Sequence, residues 1–142
     1  MIKKRYYSWT DVENMCTSIV NDMYNDCWRP DYIVGITRGG NVPATIISNM
    51  TGIRCEAIKV SLRDNESGRA GDSVNWMADD AFGVLDGKIA SGSPTSKKIL
   101  IVDDQLYNVN AMMIILQYAI KIDIEKVCEK ATSGKQAIDL IK

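Results

Sequence analysis

The chain has 142 residues, with 17 Lys and Arg against 18 Asp and Glu and no histidine. A formal net charge of −1 gives no basic footprint for nucleic acid and no polybasic membrane anchor, and without histidine there is no imidazole acid–base chemistry and little basis for zinc. The size suits a single α/β domain, residues 1–142, with a core of its own.

No stretch approaches the roughly 18 apolar residues of a membrane span, and the amino end is charged without the apolar run of a signal peptide, so a cytoplasmic chain is expected. Cys16, Cys27, Cys55 and Cys128 stand singly, without a C-x-x-C pair, and read as buried free thiols. The expected partner is a small molecule rather than nucleic acid or membrane.

In chain order, Ser8 and Asp11 form a capping-box pattern ahead of Val12, Met15, Cys16, Ile19, Val20, Met23 and Tyr24 at helical spacing. Arg29-Pro30 closes that helix, and Asp31 to Ile36 reads as a short buried strand. Pro43 suits the first turn of a second helix, carried by Val42, Ile46, Ile47 and Met50 to a stop near Thr51-Gly52. A further strand is expected over Ile53 to Ser61, centred on residues 57–60.

Patterning then fades over residues 62–97, apart from a short helical turn around Trp76-Met77-Ala78. A long unpatterned stretch inside a compact domain usually has a functional role, and its last part has linker composition. Lys97-Lys98-Ile99-Leu100-Ile101-Val102-Asp103-Asp104 follows, a buried parallel strand that stops at two adjacent acids. Val109, Met112, Met113, Leu116 and Ile120 mark a helix, Lys126 to Ala131 a strand, and Ser133 with Gln136 caps a last helix. Alternating strands and helices predict an α/β, three-layer Rossmann-like parallel sheet with helices on both faces.

Two loops carry the chemistry. Thr37-Arg38-Gly39-Gly40, between a strand and a helix amino end, can present backbone N–H groups and a guanidinium to an anion; the same glycines could simply make a tight turn. Asp103 and Asp104 close a strand where α/β ligands sit. Lys59 could face a substrate or solvent, Trp76 could stack on a base or anchor its segment, and Arg63, Asp64 and Arg69 could meet substrate or keep a loop soluble. Asp139 reads as a solvated helix residue.

Thr37, Arg38, Gly39, Gly40 and Pro43 match the Ser/Thr-Arg-Gly-Gly-x-x-Pro loop of the type I phosphoribosyltransferases, so residues 1–104 resemble the xanthine/hypoxanthine-guanine salvage branch of that family. The resemblance implies transfer between phosphoribosyl pyrophosphate and a purine-type nucleobase with Mg²⁺, and leaves a homodimer to be tested. It assigns pyrophosphate to Thr37, Arg38, Gly39 and Gly40, substrate contact to Lys59, and ribose or metal to Asp103 and Asp104 as the catalytic pair. Residues 62–97 correspond to the family's active-site flap. The family's Asp-Thr-Gly-x-Thr loop for the 5′-phosphate is replaced by Tyr107, Asn108, Val109 and Ala111, which predicts weakened phosphate binding and no carboxylate base.

Residues 98–142 are similar instead to the opening of a response-regulator receiver domain, with acids ending a strand and a later Ala-x-x-Gly-x-x-Ala helix. Both resemblances share Lys98 to Asp104, which suggests a fusion near residues 97–104. The receiver's phosphoacceptor strand has no counterpart after Asp104, so the alternatives to an enzyme are a non-catalytic α/β binding or scaffold module and a truncated receiver.

Overall fold

In the computed structural model the described residues are 6–60, 76–77, 80, 84–85, 88–89, 97–119, 121 and 123–127. The expected Arg63, Asp64 and Arg69 contacts, Cys128, the final helix and Asp139 lie outside them.

Helix α1, Trp9–Asn25, begins at the predicted capping box: Ser8 Oγ accepts from the Asp11 N–H at 3.2 Å, and the Asp11 carboxylate accepts from the Ser8 N–H at 2.7 Å. It ends before Pro30, at Asp26, with Cys27 in the left-handed region at φ 52°. The Cys27 and Trp28 N–H groups turn back to the Tyr24 and Met23 carbonyls, satisfying the last turn in the manner of a Schellman motif. Cys27 is thereby exposed, against the expectation of a buried thiol, whereas Cys16 is buried. Burial pushes the Cys16 and Cys55 thiols above their ordinary range, as expected of inert cysteines.

Strand β1, Tyr32–Ile36, is buried throughout and central. On one side it pairs in parallel with β2, Cys55–Ile58; the third strand, β5, is Ile99–Val102 and flanks β1 on the other, also in parallel. The sheet order is β2-β1-β5. Strand β2 is shorter than the sequence suggests: the Thr37 N–H takes the Ile58 carbonyl at 2.8 Å, β1 then turns away, and β2 ends at Ile58.

Helix α2, Asn41–Thr51, follows β1 and closes on Gly52 at φ 67°. It packs with α1 on one face of the sheet, where Cys16, Val20, Ile33, Ala44, Ile47 and Ile53 form a core. Helix α3, Leu106–Ile114, runs on into a π-helical turn, Ile115–Ala119. Its Met112, with Leu116 from the turn, packs on the opposite face with Tyr32, Val34, Ile36, Ile58 and Met77. Alternate β1 residues feed the two cores, as the period of a strand requires, so the expected three layers are present.

Two differences arise from segments with weak patterning. An antiparallel pair, β3 (Val84–Leu85) with β4 (Lys88–Ile89), lies within the stretch read as unpatterned. The intervening dipeptide in the sequence, Asp86-Gly87, is a strong hairpin signal that was there to be used. The strand expected over 126–131 is overturned at its start, because Ile124–Val127 forms a helical turn, α4. Asp123, a favoured residue type at helix starts, and Glu125 in the first turn favour the helix, and Val127 is the one β-branched residue of the segment read as a strand.

Candidate functional site

The chain leaves β1 through α2 toward β2 on one side, and leaves β5 through α3 on the other sheet face. The gap between the carboxyl ends of β1 and β5 is therefore a topological switch point, where open α/β sheets bind ligands. Residues 37–40 and 103–104 are the loops that flank it. The register Gly35↔Val102 places both loop entrances at one level.

The glycines set how closely the loops meet. A Cβ on Gly39 would overlap the Asp104 carboxylate; one on Gly40 would overlap the Val102 carbonyl oxygen and stand 2.9 Å from the Ile36 nitrogen and oxygen. At Gly35 it would come 2.9 Å from the Asn41 Cα, so a bare backbone also lets α2 sit down on β1. The turn is stitched by the Gly40 N–H to the Ile36 carbonyl at 3.0 Å, and the Thr37–Arg38 peptide is cis. No side chain caps α2, so its positive end is open toward the crevice.

Arg38 is exposed on this turn, Thr37 is half-buried, and Lys59 is exposed just beyond β2. Because β2, β1 and β5 are adjacent and parallel, Thr37, Arg38, Gly39, Gly40, Lys59, Asp103 and Asp104 all stand at the same edge of one sheet.

The two acids differ. Asp103 is half-buried, and its Oδ1 accepts from the Gln105 N–H at 2.7 Å while its Oδ2 accepts from Asn108 Nδ2 at 3.1 Å. Burial raises its carboxyl above the ordinary value, the two donors pull it down, and the neighbouring Asp104 carboxylate pushes it up again. Asp104 is exposed, and the Gln105 side-chain amide donates to its Oδ2 at 3.4 Å. Among the described residues no group of three or more Cys, Asp or Glu forms a metal cage. An exposed carboxylate beside a second one fits Mg²⁺ held largely by water and substrate oxygens, the usual arrangement for that ion.

The segment matching the 5′-phosphate loop is helical. Residues 106–111 form the first turns of α3, with Tyr107 exposed and Asn108 bonded to Asp103. Gln105 and Asn108 are participants that sequence reading did not assign to the pair; an amide five residues beyond an acid at a helix start was the available signal. Trp76 lies elsewhere. Its ring is 6.4 Å from that of Tyr32 at the start of β1, with the Arg54 guanidinium 5.9 Å away, at the amino end of the sheet. Nearby, Lys97 pairs with Asp80 at 2.8 Å. This geometry makes Trp76 an anchor at the far end from the acids, not a base platform.

The chain is 30% identical over 116 residues to xanthine phosphoribosyltransferase 1 of Saccharomyces cerevisiae, an alignment covering 72% of this chain and 53% of that protein. That similarity relates the chain to the phosphoribosyltransferases, and the α/β sheet is of that kind. The chain spans about half the length of this relative. No family model and no solved structure matches it. The receiver likeness of residues 98–142 gains no support from these comparisons, and no helix among the described residues is long and apolar enough to cross a membrane.

Proposed function

We propose that the chain binds phosphoribosyl pyrophosphate at the crevice between β1 and β5 and transfers its phosphoribosyl group to a purine-type base, with xanthine the first to test because the relative is named for it. The observation that carries this reading is the contact of the Gly39 backbone with the Asp104 carboxylate across the switch point. An amide-lined turn with a guanidinium suits a diphosphate, and an adjacent carboxylate suits ribose hydroxyls.

In the reaction the bond from ribose C1 to pyrophosphate breaks and a bond from C1 to a base nitrogen forms, with the base losing a proton. Arg38, with the Arg38 and Gly39 N–H groups of the turn, stabilises the charge that gathers on the departing pyrophosphate, while Asp103 and Asp104 face the cationic sugar. Mg²⁺, when bound, offsets the repulsion between the diphosphate and the Asp104 carboxylate that the close approach of Gly39 creates. Lys59 adds positive charge on the β2 side. Holding the partners in line supplies most of the acceleration in such a site.

The helical start of α3 favours a second reading, a binding module with little turnover: it replaces the open loop that would take the 5′-phosphate, and Tyr107 is a poor substitute for a carboxylate base. Calorimetric titration with phosphoribosyl pyrophosphate and Mg²⁺, followed by pyrophosphate release with xanthine, hypoxanthine or guanine, separates the two. Donor binding tighter than about 0.1 mM, roughly −5.5 kcal/mol, with pyrophosphate released supports the enzyme. Binding without release supports the module, and no binding removes both. A cytoplasmic location and a homodimer belong to the same proposal; sedimentation of the free chain tests the latter.

A further inference from the structure

We propose that Trp9, at the head of α1, is a binding residue that stacks on the purine base held at the crevice. This role deepens the proposed function and rests on it. Helix α1 feeds β1 at the amino edge of the sheet, and α2 must return to that edge to start a parallel β2. Both helices therefore begin at the carboxyl edge, where the crevice is. Cys16 Sγ lies 3.8 Å from the Pro43 carbonyl oxygen, which sets the level of one helix against the other. Trp9 stands about 10 Å beyond Cys16 along α1, whereas α2 begins only about 3 Å beyond Pro43, so the head of α1 overhangs that of α2 by roughly 7 Å.

Trp9, Cys16 and Val20 recur at i, i+7 and i+11, one stripe of the helix. Cys16 is 1% and Val20 7% exposed, because both rest on the layer beneath, yet Trp9 on the same stripe is 69% exposed. It has passed the end of what the stripe packs on. Leu100 and Val102 of β5 pack against the cluster that holds Cys16 and Val20, so the layer of α1 and α2 reaches across both strands that flank the crevice. The loops at 37–40 and 103–104 supply charge and hydrogen bonds, and Trp9 adds the flat apolar surface that a heterocycle needs. Tyr107, an exposed aromatic residue, belongs to α3 in the opposite layer and serves as the comparison.

The chain has three tryptophans, so the double variant Trp28→Phe with Trp76→Phe leaves Trp9 as the reporter. Its emission is expected to fall saturably with guanosine 5′-monophosphate and to ignore ribose 5-phosphate, which lacks the base. The Trp9→Phe chain, with the other two indoles intact, should show no saturable change. In calorimetry Trp9→Ala should weaken nucleotide binding about tenfold, as loss of one base stack does, while Trp9→Phe and Tyr107→Ala stay within about threefold. Inorganic pyrophosphate should bind all of these chains alike. Emission indifferent to the nucleotide overturns the proposal, as does undiminished nucleotide affinity in Trp9→Ala, equal loss of nucleotide and pyrophosphate, or a larger loss in Tyr107→Ala. A Trp9→Ala chain that fails to fold overturns it too, because the indole would then belong to the core. Titration with phosphoribosyl pyrophosphate and Mg²⁺ keeps the two readings apart: donor binding with a silent Trp9 removes this residue's role alone, and no donor binding removes the proposed function.

Discussion

Gly39 and Gly40 are adjacent, yet a methyl group on each meets a different kind of neighbour. At Gly40 it strikes the Val102 carbonyl and the Ile36 backbone, which can move only if β1 and β5 part. At Gly39 it strikes the end of a carboxylate side chain, which can swing aside. Gly40→Ala is therefore expected to destabilise the fold by about 1–3 kcal/mol, read from urea denaturation. Gly39→Ala should unfold near the wild-type midpoint but displace Asp104 and lose donor binding in calorimetry. Equal destabilisation of the two variants would contradict the contacts described. The motif Thr-Arg-Gly-Gly was legible as a candidate anion turn; which glycine serves the fold and which the ligand follows from what lies across the gap.

The helices show how local chemistry and packing share control. Helix α1 is written in its sequence almost completely: a capping box at Ser8, apolar residues on one stripe, and a stop before Pro30. Its exit was less legible, because Cys27 occupies a left-handed position that favours glycine, at a site with no intrinsic Cys preference. Cys27 is exposed, so replacing it removes little packing. Cys27→Gly is expected to stabilise by about 0.5–1 kcal/mol, the left-handed penalty relieved less the greater freedom of glycine in the unfolded chain. A thermal midpoint that falls instead would show that the Cys27 side chain contributes contacts. Helix α3 illustrates the opposite case, since no side-chain cap from Gln105 announces its start and Asp103 fixes only the Gln105 N–H just ahead of it.

Across the molecule, one strand organises two cores. Tyr32, Val34 and Ile36 face α3, while Ile33 faces α1 and α2, so β1 ties both layers together. Met77 is fully buried in the α3-side core although it comes from the poorly patterned part of the sequence. Met77→Ala should cost about 2–5 kcal/mol, the range for emptying a packed site, measurable by chemical denaturation. A loss near zero would mean that this helical turn is not fixed to the sheet. Beside it, burial raises the Tyr32 phenol far above its usual range, and Asp80 with Lys97 completes a polar cluster at the amino end. Trp76 and Asp80 therefore mark an anchoring end of the sheet, opposite the end proposed for the ligand.

Period and punctuation alone determined the α/β class, the strands at 32–36 and 99–102, and the helices α1 and α2, because these depend on neighbours a few residues apart. They also marked Arg38, Gly39, Gly40, Asp103 and Asp104 as candidates. Only the tertiary structure decided that the two loops meet, since parallel pairing of β1 with β5 joins segments more than sixty residues apart in the chain. It also decided that the acids are unequal, through hydrogen bonds that exist once α3 starts at Leu106. The helical turn at Ile124–Val127 was misread for a related reason: four residues of mixed propensity carry too little local free energy to choose a state without their surroundings.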